Sequence, residues 1–201
     1  MPNNVTRRSL MATSLAFAGL MGLATPALAL SDAEARALVD KVVKDINSVI
    51  SSGKSVSGMI KDFEKIFVRY GDVNIIARSA LGVDSRRATS KQMADFTVAF
   101  RGYISRKYGK RFNEFVGGNV TVTDVRRLKS YVEVRGSIKL RGQAPFDVSW
   151  LVSDKSGKDL FFDMIMEGIS LRLTEATEIG AMLDRRKGDI NALISDLRKA
   201  G

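Results

Sequence analysis

Carboxylates on one predicted strand are the first candidates for chemistry. Asp163 and Glu167 lie in the stretch LFFDMIMEGISL, residues 160–171, on the same side of a strand. Four residues of extended chain separate their Cα atoms by about 13 Å, which is wider than the spacing of paired glycosidase carboxylates. Asp147, on the preceding strand, could lie opposite Asp163 and form a closer pair. A carboxylate-based hydrolase is therefore one hypothesis, and exposed carboxylates on a solvated sheet face are the simpler one.

The composition excludes most other catalytic chemistry. The chain of 201 residues contains no cysteine and no histidine. It therefore cannot build a Ser-His-Asp triad or a cysteine-protease site, and it lacks the usual ligands of zinc, haem and iron–sulfur centres. We expect no metal and no cofactor, and packing alone must stabilise the fold because no disulfide can form.

The N-terminal segment is predicted to be a signal peptide covering residues 1–29. A basic start at Arg7-Arg8 precedes an apolar run over residues 10–24, and Ala27-Leu28-Ala29 supplies small residues for cleavage. The run is shorter than the roughly 20 residues of a membrane span, although a retained anchor is the alternative. The stretch TRRSLMA resembles a twin-arginine signal, and the general secretory route fits equally well. Residues 30–201 then form one domain of sufficient size for a real core.

The predicted exported domain is basic. The full chain has a net charge of +10, and without Arg7 and Arg8 there remain 30 basic and 22 acidic residues, a net charge of +8. Such a surface favours lipid headgroups, an acidic protein or nucleic acid, and export argues against nucleic acid. Solvated helix edges and loops are the simpler interpretation of the basic clusters, which lie at 86–87, 105–111, 126–127 and 185–187.

The positions of these residues depend on a predicted α+β domain. Capping residues and apolar periodicity predict helices over 31–50, 56–71, 72–82, 90–118, 170–188 and 189–201. Alternation with a period of two predicts strands over 119–128, 130–140, 144–154 and 159–167. Short consecutive strands favour an antiparallel meander. The expected architecture is thus N-terminal helices, a four-stranded sheet and C-terminal helices.

The apolar stripes of these elements have two interpretations. The long helix 90–118 carries a stripe of bulky groups with Gly102 inside it, which predicts a close approach or a bend there. Stripes of this kind usually form a solid core. Methionine, however, adapts to irregular apolar ligands. The apolar residues of these helices and strands include Met59, Met93, Met164, Met166 and Met182. An internal apolar cavity is therefore the second interpretation.

The order of several short motifs resembles one known family. Asp163 followed by Glu167-Gly168-Ile169-Ser170-Leu171 is similar to the C-terminal pattern of the MlaC-type, or toluene-tolerance, family. Upstream, Ile76, Ala77, Leu81 and Gly82 resemble its Ile-Ala-(x)₃-Leu-Gly segment, and Phe96, Phe100 and Tyr108 resemble its aromatic helix. The resemblance spans nearly all of residues 30–201.

The resemblance implies a function and partners. Members of that family are periplasmic phospholipid-binding proteins of a lipid transport system, so it implies a monomeric carrier that catalyses no reaction. It also implies an outer-membrane lipoprotein–porin complex and an inner-membrane ABC transporter with a ring-forming substrate-binding subunit as partners, and a role in outer-membrane lipid asymmetry. A carrier of hopanoid or another apolar ligand is the alternative.

The resemblance also implies a deep pocket for acyl tails, with the headgroup outside at a basic rim and Glu167-Gly168 turning the last strand into the C-terminal helices. Strand alternation adds Phe162 and Met164 to the inward row of Val148 and Trp150. The expected walls comprise Ile76, Ala80, Phe96, Phe100, Ile104, Tyr108, Val148, Trp150, Phe162, Met164, Ile179, Met182 and Leu183.

Overall fold

The computed structural model describes residues 30–201. The predicted signal peptide, with either export route, lies outside the described residues. Within residues 30–201 no helix combines the length and the apolar character that a membrane span requires.

Residues 30–201 contain six α-helices, four before the sheet in the sequence and two after it. They are α1 (Asp32–Ile50), α2 (Val56–Tyr70), α3 (Val73–Leu81), α4 (Ser90–Gly109), α5 (Leu171–Arg185) and α6 (Ile190–Leu197). Ser31 caps α1 in the predicted capping box: its hydroxyl accepts from the Glu34 amide, and the Glu34 carboxylate accepts from the Ser31 amide. Thr89 caps α4 in the same way with Gln92, one residue before the predicted start of the helix.

The long helix α4 ends earlier than the sequence predicts. It stops at Gly109, and a 3-10 helix, Lys110–Phe115, continues the chain where the prediction had one helix to residue 118. In a 3-10 helix, side chains three apart lie on the same side, so Phe112 and Phe115 point together toward the interior, with ring centroids 6.0 Å apart. The tighter turn thereby brings two aromatic side chains to the same wall. A second 3-10 helix, Gly82–Arg86, follows α3.

The sheet is an antiparallel meander of five strands in sequence order. These are β1 (Asn119–Leu128), β2 (Tyr131–Lys139), β3 (Phe146–Ser153), β4 (Leu160–Met166) and the short β5 (Ile169–Ser170). The predicted antiparallel meander is confirmed. It has five strands rather than four, because the short β5 was not predicted. Glu167 and Gly168 have φ of 49° and 80°. Positive φ at both central residues is the geometry of a two-residue hairpin, so the chain first turns back along β4 and enters α5 only after β5.

A bulge shifts the aromatic residues of β4. Trp150 pairs with Met164 as predicted, but Leu151 pairs with Asp163 and Val152 with Phe161. Phe162 is the extra residue, so Phe161 takes the place in the inward row that alternation assigned to Phe162. The Phe161 carbonyl accepts a 2.8 Å hydrogen bond from the Asp72 amide, which fastens β4 to the start of α3.

The helices divide the interior into two parts. Helix α4 packs against α3 and α6, and α3 also packs against α5. This part is solid and contains the fully buried side chains of Phe96, Phe100, Ile179, Leu193 and Leu197. The other part lies between the sheet and the helices α1 and α2 together with the end of α4, and it contains a cavity.

Candidate ligand cavity

An apolar cavity of about 770 Å³ lies between the sheet and the helices. This volume is within the range of small-molecule and cofactor pockets. Every α-helix except α6, and each of the five strands, contributes to its wall. The apolar lining residues are Val42, Ile46, Phe63, Ile66, Phe67, Ile76, Ile104, Phe112, Phe115, Val120, Ile138, Leu140, Ala144, Pro145, Phe146, Trp150, Phe161, Phe162, Met164, Met166, Ile169 and Leu171.

The exposed lining residues lie at one end of the sheet and mark the mouth. Three segments supply them: the 3-10 helix with Arg111 and Glu114, the β2–β3 loop with residues 143–145, and the β4–β5 hairpin with Glu167 and Ile169. Ile169 is 62% exposed, although it is a large apolar side chain. The mouth therefore has an apolar edge with charged residues beside it.

One glycine lets a tryptophan pack closely on the sheet at the cavity wall. Trp150 is 1% exposed and lies over β2 at Gly136. A Cβ atom at Gly136 would collide with the Thr121 carbonyl oxygen and would lie 3.0 Å from the Trp150 ring. Because glycine carries no Cβ, the indole ring can pack directly on the strand backbone.

Six of the thirteen predicted wall residues line this cavity. They come from α3, the end of α4 and the strands β3 and β4: Ile76, Ile104, Tyr108, Trp150, Phe162 and Met164. The turns of α4 cannot all reach the cavity, because a helix of 20 residues is about 30 Å long. Only its C-terminal third does so.

The other seven predicted residues are buried but lie outside the cavity lining. They are Ala80, Phe96, Phe100, Val148, Ile179, Met182 and Leu183. Phe96 and Phe100 stack on each other, with ring centroids 5.8 Å apart. The C-terminal half of α5 turns toward α3 and α6 in the same way, so the apolar stripes of these helices serve packing there.

Sequence reasoning missed five phenylalanine residues of the cavity wall. Phe63 and Phe67 of α2, Phe112 and Phe115 of the 3-10 helix, and Phe161 of β4 all line the cavity. The rings of Phe63 and Phe112 lie edge to face, 5.1 Å apart. The apolar face of α2 is visible in the sequence, and it could have been assigned to the wall if the position of α2 across from the sheet had been known.

The predicted carboxylate pair does not form. Asp147 lies in register with Ser137 on one side, and its carbonyl oxygen accepts a 3.1 Å hydrogen bond from the Glu167 amide on the other. It is therefore not opposite Asp163, which pairs with Leu151. The expectation that these carboxylates lie on a solvated sheet face is also wrong for Asp163, which is 4% exposed.

Asp163 fastens β4 to the start of α5. Its carboxylate accepts hydrogen bonds from the Met164 amide at 2.8 Å, the Arg172 amide at 3.0 Å and the Ser170 hydroxyl at 2.6 Å. The same Ser170 hydroxyl caps α5 by accepting from the Leu173 amide. These hydrogen bonds give the Asp163 carboxylate a structural role. They also explain the spacing between Asp163 and Ser170, because the carboxylate joins the strand to the start of the helix.

A polar cluster interrupts the apolar wall where α4 meets α5. Glu175, 2% exposed, accepts hydrogen bonds from Lys107 Nζ at 2.8 Å and from the Tyr108 hydroxyl. Lys107 also contacts Glu178, which accepts a 2.8 Å hydrogen bond from the Tyr103 hydroxyl. Tyr108 and Glu175 line the cavity, whereas Tyr103 and Glu178 do not.

The cluster shifts the pKa values of its members. Burial, with the neighbouring carboxylates Glu178 and Glu175, raises the pKa of Tyr103, and burial together with Glu175 raises the pKa of Tyr108. Burial lowers the pKa of Lys107, but the hydrogen bonds to Glu175 and Glu178 outweigh it and leave the pKa above its usual value. The cluster thus holds Lys107 positively charged and both phenols neutral at ordinary pH.

Fold and cavity together define a class of protein: an α+β domain whose antiparallel meander and helices enclose an apolar cavity with a mouth at one end of the sheet. The sequence matches the family model described as MlaC protein over residues 36–199, and the chain belongs to that family.

A solved structure has the same fold. It is described as a phospholipid-binding protein from Ralstonia solanacearum in complex with a phospholipid. The two structures align with a TM-score of 0.71 at 19% sequence identity, covering 82% of this chain and 95% of the other.

Proposed function

We propose that this protein is a periplasmic carrier that binds a diacyl phospholipid with its acyl tails inside the cavity and its headgroup at the mouth. The apolar cavity of about 770 Å³ is the observation that carries the proposal. Membership of the MlaC family supports it, as does the phospholipid bound to the Ralstonia protein of the same fold.

The energetics explain why a carrier would be needed. Each buried CH₂ group contributes roughly 0.8 kcal/mol, so exposing two sixteen-carbon tails to water costs on the order of 20 kcal/mol or more. A phospholipid therefore crosses an aqueous compartment only very slowly by itself. A protein that covers the tails removes most of this cost, and no catalytic group is required for the task.

The family suggests where the lipid comes from and goes to. In this proposal the protein exchanges lipid with an outer-membrane lipoprotein–porin complex and with an inner-membrane ABC transporter that has a ring-forming substrate-binding subunit. Such traffic maintains the lipid asymmetry of the outer membrane. The signal peptide predicted for residues 1–29 is consistent with a periplasmic location.

A tryptophan scan of α4 tests the cavity assignment. Ile104→Trp places a large ring at a lining position, and we expect it to exclude lipid while the protein remains folded, because the ring fills empty volume. Val98→Trp is the matched control on the same helix, since Val98 is 57% exposed and does not line the cavity. Bound lipid is measured by mass spectrometry of organic extracts of the purified proteins.

The extracts also identify the ligand. Phospholipid in the wild type and in Val98→Trp, but not in Ile104→Trp, agrees with the proposal. A hopanoid in the extract would identify the alternative apolar ligand. If the wild type contains no lipid and takes none from vesicles, the carrier function is wrong.

A further inference from the structure

The fold holds Leu30 at its side chain and at both of its backbone polar groups. The side chain is 5% exposed and belongs to the hydrophobic core. The amide nitrogen donates a 3.0 Å hydrogen bond to Asp154 Oδ2, and the carbonyl oxygen accepts a 2.7 Å hydrogen bond from Arg127 Nη2. Asp154 follows β3 and Arg127 belongs to β1, so contacts with the sheet fix the Leu30 nitrogen beside a carboxylate.

Predicted signal-peptide cleavage changes the charge of this nitrogen. The bond that follows Ala27-Leu28-Ala29 joins Ala29 to Leu30. Its hydrolysis consumes one water molecule and leaves a carboxylate on Ala29 and an amine on Leu30. The pKa of a chain-terminal amine is ordinarily about 7.7–8.0, so at neutral pH the amine takes up a proton and becomes an ammonium. Cleavage therefore replaces a neutral amide N–H with a cation within hydrogen-bond distance of Asp154.

Three carboxylates lie near the Leu30 nitrogen. Desolvation, and then the repulsion of Glu34 and Asp154, raises the pKa of Asp159, which indicates that the three carboxylates lie near one another. Glu34 belongs to the first turn of α1, where its carboxylate also accepts from the Ser31 amide. A positive charge on Leu30 offsets this repulsion, because opposite charges attract over the same short distances.

The cations of this region do not already neutralise Asp154. Arg127 forms a 2.8 Å ion pair with Asp32. Lys155 and Lys158 belong to the β3–β4 turn and are exposed. Within the part of the chain that the structure describes, the backbone amide noted above is the only hydrogen-bond donor to the Asp154 carboxylate. This carboxylate is therefore available to a terminal ammonium.

We infer that the α-ammonium of mature Leu30 forms an ion pair with Asp154 that the uncleaved chain lacks. Removal of the signal peptide thereby stabilises the folded domain, whatever ligand the cavity binds. The neighbouring carboxylate raises the pKa of the amine above its value in the unfolded chain. The ion pair therefore contributes fully below about pH 7.7, and its contribution is lost as the pH rises through the higher pKa of the folded state.

The N-terminus of the exported protein is the first test. The precursor of 201 residues is expressed with its own N-terminal segment, and the purified product is analysed by intact mass spectrometry and N-terminal sequencing. We expect the chain to begin at Leu30. A chain that begins at another residue, or that retains residues 1–29, overturns the inference, because the ammonium would then not lie beside Asp154.

A comparison of two chain starts tests the energetic effect. One protein begins at Leu30 and the other at Ala27, so the second keeps the amide N–H at Leu30 but carries its charge three residues earlier. We expect the unfolding constant of the Leu30 form in urea to be roughly fivefold smaller near pH 6.5, which is the ratio for about 1 kcal/mol. The difference should disappear near pH 10.5, where the amine is neutral in both states. Equal stability of the two forms near pH 6.5 overturns the inference.

Two substitutions, each made in both chain starts, assign the difference to Asp154. Asp154→Asn removes the negative charge, so we expect the two chain starts to become equally stable near pH 6.5. Asp124→Asn is the matched control, because Asp124 is an exposed carboxylate of β1 that lies 3.9 Å from Arg135, and it should retain the difference. A difference that persists in Asp154→Asn overturns the inference. If Asp154→Asn does not fold, the pH dependence of the two unsubstituted forms decides.

Discussion

The carboxylate of Asp163 illustrates how one residue can join two elements. It accepts hydrogen bonds from two backbone amides and one hydroxyl, and Arg172 Nε lies 3.6 Å from it. These partners belong to β4, β5 and the first turn of α5, so a single side chain determines how the chain leaves the sheet.

Removing this carboxylate should destabilise the protein strongly. We expect Asp163→Ala to lower the free energy of unfolding by about 3–5 kcal/mol, because it leaves buried donors and the Arg172 charge without their partner. Urea denaturation followed by circular dichroism measures the change. Asp147→Ala, an exposed aspartate on the adjacent strand, is the control and should change stability by about 0.5 kcal/mol or less. Equal effects of the two substitutions would contradict the structural role of Asp163.

At the scale of residues, alternation predicted only part of the cavity wall. Trp150 and Met164 were placed together correctly because the β3–β4 register is regular at that pair. Phe161 replaced Phe162 in the inward row because of a bulge, and one extra residue in a strand leaves no clear signal in the alternation of this sequence. Asp163 was misjudged for a related reason: its burial depends on α5, which follows it in the chain but covers it in space.

At the scale of elements, periodicity identified each helix and every strand except β5, but not which helix lies where. The stripe of α4 is apolar along its length, yet its first half packs in the solid core and only its end reaches the cavity. Gly102 was expected to mark a close approach or a bend. The close approach occurs at Gly109, where an added Cβ would lie 2.9 Å from Ile60 Cα of α2. A glycine does not indicate which neighbour it faces, so this could not be read from the sequence.

The contact between α4 and α5 should make stability depend on alkaline pH. The pKa values of Tyr103, Tyr108 and Lys107 are all raised in the folded state. A group with a raised pKa retains its full contribution below its unfolded pKa, which is about 10 for these residues, and loses it as the pH rises further. We therefore expect the urea midpoint to fall progressively above pH 10.

A phenylalanine substitution tests whether the α4–α5 contact causes this fall of the urea midpoint. Tyr108→Phe removes one of the titrating groups, so its midpoint should be lower at pH 8 but should decline less steeply above pH 10 than that of the wild type. Tyr131→Phe alters a tyrosine whose ring packs edge to face against Phe162 on the sheet, and its decline should follow the wild type. An identical decline in Tyr108→Phe would show that the cluster does not cause the alkaline loss.

At the scale of the whole molecule, the charge of the domain can be related to the position of the mouth. Residues 30–201 have a net charge of +8. Lys139 and Arg141 are exposed and flank Leu140, which lines the cavity, and Arg111 is part of the mouth itself. Consecutive connections of an antiparallel meander alternate between its two ends, so the β3–β4 turn with Lys155 and Lys158 is at the end away from the mouth.

This arrangement predicts that lipid delivery to an anionic surface depends on the charges near the mouth. We expect Lys139→Glu combined with Arg141→Glu to slow transfer of a fluorescent phospholipid from the protein to vesicles containing anionic lipid by roughly tenfold at low salt, because like charges then oppose the productive orientation. Lys155→Glu combined with Lys158→Glu changes the net charge by the same amount at the far end, so it should slow transfer much less. The difference between the double variants should vanish near 1 M salt, where the screening length is about 3 Å. Equal slowing by both would mean that net charge alone matters, and a wild-type rate that does not change with salt would remove electrostatic steering from the transfer step.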